Sequence, residues 1–197
     1  MEPQNRSTGE GGLAMRSSRV ILVAAAGGFA LRLALKYADL PVQMASHFGS
    51  GGVPNGWMPR SIFVGFSVAL SAVMLLIFLG GPMLLRRVPH ALINLPHKQY
   101  WLAPERKEAA FDYLASTIEW MGAATFVFLV LVNELVFAAN AKVRPQLSEA
   151  PLIVGLVIIL SVSIGSGVAM YLHFSRIPKD AKVARASGRK IENDSGE

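Results

Sequence analysis

The chain has 197 residues, 52% hydrophobic and only 16% charged, with no cysteine, a formal charge of +6 and a mean hydropathy of +0.42. Charge is missing in long blocks, which excludes a water-soluble globular domain and a disordered chain. The absence of cysteine excludes disulfides and thiolate metal or redox chemistry.

Residues 1–18 are small and polar (Ser7, Thr8, Gly9, Gly11, Gly12) and predict a disordered cytoplasmic lead. Met15 is a second candidate start, because Met-Arg-Ser-Ser-Arg directly precedes the first apolar run. That run begins at Val20 and meets its first charge at Arg32, then stays apolar through Leu33, Leu35 and Tyr37 without a clean small-x-small cleavage site. It predicts an uncleaved membrane helix over 19–38, with Arg32 and Lys36 reaching the headgroups at its outer end.

Residues 61–85 hold no Asp, Glu, Lys or Arg and predict a second membrane helix, which Gly80-Gly81-Pro82 is expected to kink or end. A third apolar stretch covers 117–141 and carries Glu119, Asn133 and Glu134. A fourth covers 150–174, with Pro151 in its first turn and Ser161, Gly165 and Ala169 at spacings of four, a stripe that suits close helix contact. Residues 177–197 form a polar tail, which leaves 19–176 as the membrane domain.

Of the 19 Lys and Arg residues, 14 lie before the first helix, between the second and third, or after the fourth. The other two connections hold only Arg60, Lys142 and Arg144. The positive-inside rule then places both termini in the cytoplasm. The basic excess is thus an orientation signal and implies no nucleic-acid partner.

The outer connection between the first two helices is the most distinctive segment. Val42, Met44 and Phe48 fall at period two, which suits a short extended piece lying on the helix ends. Pro54-Asn55-Gly56 is strong turn chemistry, and Trp57 stands where the chain re-enters the bilayer. Pro41, His47, Phe48, Gly52, Pro54, Gly56 and Trp57 are the candidate binding residues here. The segment is either a packed hairpin cap or a ligand site outside the membrane. His47 invites a metal, but four histidines split across the bilayer supply too few ligands, so no metal site is expected. A hydrogen-bonded histidine that pins the loop is the simpler role.

On the cytoplasmic side, Tyr100 and Trp101 read as interfacial anchors, and an amphipathic segment from about residue 104 leads into the third helix through Phe111, Leu114 and Ile118. Charges inside membrane helices are costly and therefore functional suspects. By helical rise, Arg32 and Glu134 reach the same level near the outer headgroups, which predicts an ion pair that locks the first helix to the third. Glu119 falls near the cytoplasmic face and is expected to be solvated there. The chain has no His-Glu-x-x-His, no Gly-x-x-x-x-Gly-Lys-Ser/Thr and no Gly-x-Ser-x-Gly, so neither an enzyme nor a cofactor is implied.

The string Asp39-Leu40-Pro41, then His47-Phe48, Gly52 and Pro54-Asn55-Gly56-Trp57, resembles the signature of a bacterial membrane family known as domain of unknown function 1648. That domain also forms the front part of SdpI-type immunity proteins, which protect cells from a secreted toxic peptide. Asn94-Leu95-Pro96 with Tyr100-Trp101-Leu102-Ala103-Pro104-Glu105 resembles the middle of short, four-helix members of the same group. The fold expectation is an all-α integral membrane protein of four transmembrane helices, with a short extended outer loop between the first two. The expected location is the bacterial inner membrane. The expected function is a non-enzymatic binding, sensing or immunity-like module; the alternative is a small oligomeric transporter or channel. The implied partners are the lipid bilayer, a second copy or another membrane protein, and an extracytoplasmic peptide ligand.

Overall fold

The computed structural model describes residues 7–177, with side chains from Ser17 onward. Five helices and one hairpin follow in order: α1 Ser7–Lys36, β1 Gln43–Phe48, β2 Pro54–Pro59, α2 Arg60–Leu85, α3 Lys98–Trp101, α4 Lys107–Asn140 and α5 Glu149–Ser175. Segments Ser17–Asp39, Arg60–Leu85, Lys107–Asn140 and Glu149–Ser175 are each long and apolar enough to cross a membrane, so this is a multi-pass membrane protein. The expected tail at 177–197 lies outside the described residues, except for Ile177. The expected disordered lead falls partly outside them too, and from Ser7 the backbone is already helical.

Helix α4 is the hub, packed against α1, α2 and α5. On α1 the buried residues are Ser18, Leu22, Ala26, Phe29 and Leu33, a stripe at spacings of three and four that faces α4. Lipid is as apolar as leucine, so burial from water does not hold membrane helices together; close packing does. Gly122 of α4 supplies it, because a Cβ there would stand 2.6 Å from the Phe78 ring of α2 and 3.0 Å from Leu22 of α1. Phe126 is fully buried and meets Phe29 edge-on at 6.1 Å. The outer faces of α2 and α5 carry exposed Ile, Leu and Val, as a lipid-facing surface requires.

Two local expectations need correction. Helix α2 continues through Gly80-Gly81-Pro82 to Leu85, with Pro82 buried; the proline removes one backbone bond without ending the helix. The Ser161-Gly165-Ala169 stripe touches no other helix, and nothing lies within 4 Å of a Cβ on Gly165. Helix α5 instead makes its close approach at Gly155, where a Cβ would stand 2.4 Å from Leu131. Small residues permit contact, but the side presented to α4 is chosen by where the link from Asn140 delivers the helix. The amphipathic lead and the third apolar stretch form one continuous helix from Lys107, in line with the expected run from about residue 104 into the third span.

The ends of the bundle differ in kind. At one end the β1–β2 hairpin meets the link between α4 and α5, where the Leu147 amide donates to the Gly52 carbonyl at 3.0 Å. At the other, the Trp101 indole donates to the Phe174 carbonyl at 2.8 Å, which joins the link between α2 and α4 to the last turn of α5.

Candidate functional site

The extended segment expected between the first two helices is a two-stranded antiparallel sheet, an addition to the all-α expectation. Residues Gln43, Met44 and Ala45 face Pro59, Met58 and Trp57 in regular register. Beyond Ala45 the register shifts, so that His47 faces Gly56 and Phe48 faces Pro54. The burial departs from the period-two pattern. Met44 and its neighbour Ala45 are both buried and Phe48 packs on the core, whereas Val42 is 72% exposed. Pro54 opens β2, a position where a missing amide donor does little harm. Pro41 is exposed in the extended lead into β1, next to Leu40 in the extended conformation a following proline favours.

The tip of the hairpin is fastened to the α4–α5 link through backbone. Gly51 and Gly52 have φ of +74° and +69°, where glycine carries no Cβ penalty. A Cβ on Gly52 would lie 2.1 Å from the Leu147 carbonyl oxygen, so no other residue fits. The Gly52 amide reaches the Glu149 carboxylate at 3.1 Å, and the Gln146 side chain donates to the Gly51 carbonyl at 3.2 Å.

The body of the hairpin is held by a buried amide. The Asn140 Oδ1 accepts from the Ala45 amide at 2.8 Å, and its Nδ2 donates to the Ala45 carbonyl at 2.9 Å. One side chain thus supplies both partners that a third strand would offer to Ala45. At the base, the Arg60 guanidinium donates to the Leu40 carbonyl at 2.9 Å and lies 5.0 Å from the Tyr37 ring centre. His47 shares a hydrogen bond through Nδ1 with the Asn55 side chain, and a Cβ on Gly56 would press on the His47 Cβ at 2.9 Å. Most of the distinctive residues therefore build the hairpin; Trp57, 56% exposed, is the large side chain it displays.

Residues 23–77 match the family model of a domain of unknown function, DUF1648. No curated protein and no solved structure matches the chain. The DUF1648 segment contains the whole hairpin, just under half of α1 and two-thirds of α2, with Arg60 at the hairpin's base, yet the groups that fasten the hairpin from outside, Asn140, Gln146, Leu147 and Glu149, lie beyond it. Asn140 carries no motif. The one available signal is an amide at the end of an apolar helix, level with a segment whose strand edge needs partners.

Two ion pairs join α1 to α4, Arg32 lying inside the DUF1648 match and Arg19 before it. Arg32 donates through Nε and Nη2 to the two oxygens of Glu134, the latter at 2.8 Å. Their side chains are 42% and 35% exposed. The crevice beside them, between Phe29, Leu33, Val130, Asn133 and Phe137, is closed, and Asn133 donates to the Leu129 carbonyl of its own helix. At the other end Glu119 contradicts the expectation of a solvated group: it is fully buried. It accepts from Ser18 Oγ at 2.6 Å and from Arg19 Nε at 2.8 Å. The expectation failed because it places Ser18 in the polar lead and Arg19 at the very start of the helix, whereas the helix already runs through both and turns them onto the α4 face.

Trp101, expected as a headgroup anchor, is half-buried, 5.2 Å from the His173 ring and 5.3 Å from Phe174. His173 stacks in turn on Tyr113 at 3.9 Å. Among the described residues no group of three or more His, Asp or Glu stands together as a metal site.

Proposed function

We propose that this membrane protein is a non-enzymatic binding or sensing module whose hairpin end faces away from the cytoplasm. The observation that carries the reading is a hairpin with its backbone fixed at Gly52, Ala45 and Leu40 while Trp57, Val42 and Val53 remain exposed. A fixed backbone lowers the ordering cost of binding, and an exposed tryptophan is the side chain most used as a contact anchor. The ligand class is an extracytoplasmic peptide, the class that the resemblance to immunity proteins implies. The orientation follows the charge bias, because the two connections at the hairpin end carry only Arg60, Lys142 and Arg144, with Arg32 and Lys36 inside α1, against 14 basic residues on the other side.

The test is complementation of a deletion strain by Trp57→Ala. Loss of the phenotype at unchanged membrane level supports the reading, and full complementation rejects it. A reporter at the C-terminus active only outside the cytoplasm rejects the orientation. The second reading, a small oligomeric transporter or channel, draws on the exposed Ser161-Gly165-Ala169 stripe, where a second copy has room to approach. It requires solute flux into vesicles that contain the purified chain.

A further inference from the structure

The segment between α2 and α4 belongs neither to the hairpin nor to the ion pairs, and its shape is unusually determined. Trp101 ties it to the Phe174 carbonyl, and Ile93 and Leu102 are buried beneath it with Phe111 and Leu114. The Arg106 Nε donates to the Tyr100 carbonyl at 2.9 Å while its guanidinium lies 4.1 Å from the Tyr100 ring centre. Within this frame His97 has φ +51° and ψ +39°; among the described residues it is the one non-glycine with positive φ. A left-handed histidine is costly and persists where the surroundings impose it.

Two adjoining cavities open on this segment, of about 310 and 220 Å³. Lys98 and Gln99 line both; Asn94, His97 and Tyr100 complete the larger, and His90 the smaller. The chemistry of the lining is one-sided. Beside Leu95, Leu102 and Ile177, it presents an ammonium, two imidazoles and two amides and, among the described residues, no carboxylate. The nearby acids are engaged or turned away: Glu108 and Asp112 are taken by Arg86, and Glu105 is exposed outside the lining. Lys98 has no carboxylate partner among the described residues; its Nζ is 3.3 Å from the Ala91 carbonyl. A carboxylate-free cleft rich in donors suits a phosphate diester. It also lies at the ends of four apolar helices, the level at which headgroups stand.

We propose that this paired cleft binds the phosphate headgroup of an anionic phospholipid, with Lys98 and Gln99 as its central contacts. The exposed rim of Tyr100 sits beside the glycerol region, and the adjacent Arg106 adds to the positive field.

The test uses the full chain in nanodiscs of mixed phosphatidylglycerol and phosphatidylcholine, followed by release into detergent and native mass spectrometry of retained lipid. The wild type retains phosphatidylglycerol in preference to phosphatidylcholine. Lys98→Gln, which keeps hydrogen-bond donors and removes the charge, reduces that preference about fivefold, the scale for one basic side chain at an anionic surface. Arg87→Gln, an exposed residue of the same end outside both cavities, leaves it unchanged. Equal retention of the two lipids overturns the proposal, as does an equal loss in both variants, which would mean diffuse attraction. Displacement of the retained lipid by millimolar inorganic phosphate would assign the cleft to free phosphate and overturn the lipid source. A circular dichroism spectrum of Lys98→Gln matching the wild type excludes unfolding as the cause.

Discussion

The two ends of the α1–α4 interface use the same chemistry in opposite environments. Near the start of the first membrane-length segment, Arg19 reaches a carboxylate that is fully buried and shared with Ser18. Toward the hairpin, Arg32 grips Glu134 in bidentate fashion, but both partners are more than a third exposed. The two carboxylates are 15 positions apart and the two arginines 13, so the pairs sit at matching heights on parallel helices, about 20 Å apart. The lesson is that geometry alone does not rank them. A buried charge that loses its partner has nowhere to go, whereas an exposed one finds water or headgroups.

The largest expected effect is at the buried end. Arg19→Gln leaves Glu119 with only Ser18 Oγ inside the packed helices, and a loss of about 3–5 kcal/mol is expected. Thermal unfolding in detergent measures it. Glu119→Gln is expected to cost less, because the Arg19 left behind is 39% exposed and can turn outward. The double variant Arg19→Met with Glu119→Met is expected to recover much of the loss, since no charge is then buried alone. If Glu119→Gln proves the more harmful single change, the ranking by exposure is wrong.

Next comes Asn140, which decides whether the hairpin end is held by hydrogen bonds or by ions. Asn140→Leu keeps the branched shape and removes both partners of Ala45, whose backbone is buried. A loss of about 1–3 kcal/mol is expected, with faster hydrogen exchange confined to β1. An unchanged exchange pattern would mean that Gly52 and Leu147 hold the hairpin unaided. The smallest stability effect is predicted for Arg32→Gln and Glu134→Gln, each well below Arg19→Gln in the same assay. A loss equal to that of Arg19→Gln would erase the contrast between the two ends.

The second and fourth spans were legible because missing charge over 18 or more residues is a property of composition, and the first and third as apolar runs broken only by Arg32, Lys36, Glu119 and Glu134. The hairpin was legible as a turn, through Pro54-Asn55-Gly56, and so was the level at which Arg32 meets Glu134, because helical rise is fixed. What the chain did not disclose are contacts between groups a hundred residues apart, such as Glu119 with Ser18 and Asn140 with Ala45. These depend on how each helix is rotated about its axis, and a chain that is apolar all round carries little rotational signal. The same weakness misassigned the small-residue stripe of α5. The fastening of Gly52 was likewise hidden: glycine is common in turns, and its special role appears only when the Leu147 carbonyl is seen 2.1 Å from where a Cβ would stand.

The comparison of the two ends sharpens the role of Trp57. The hairpin's stability is assigned to Asn140, Gly52 and Arg60, and none of them needs the indole, which is more than half exposed. Trp57→Ala is therefore expected to leave the unfolding midpoint within measurement error and β1 exchange unchanged, while it removes any binding at this end. His47→Ala is the informative contrast. It removes the bond to Asn55 and loosens the turn, so it is expected to weaken binding and speed exchange near Asn55 together. If Trp57→Ala alone shifts exchange across β1 and β2, the indole is a structural strut, and the displayed surface must be sought in Val42 and Val53 instead.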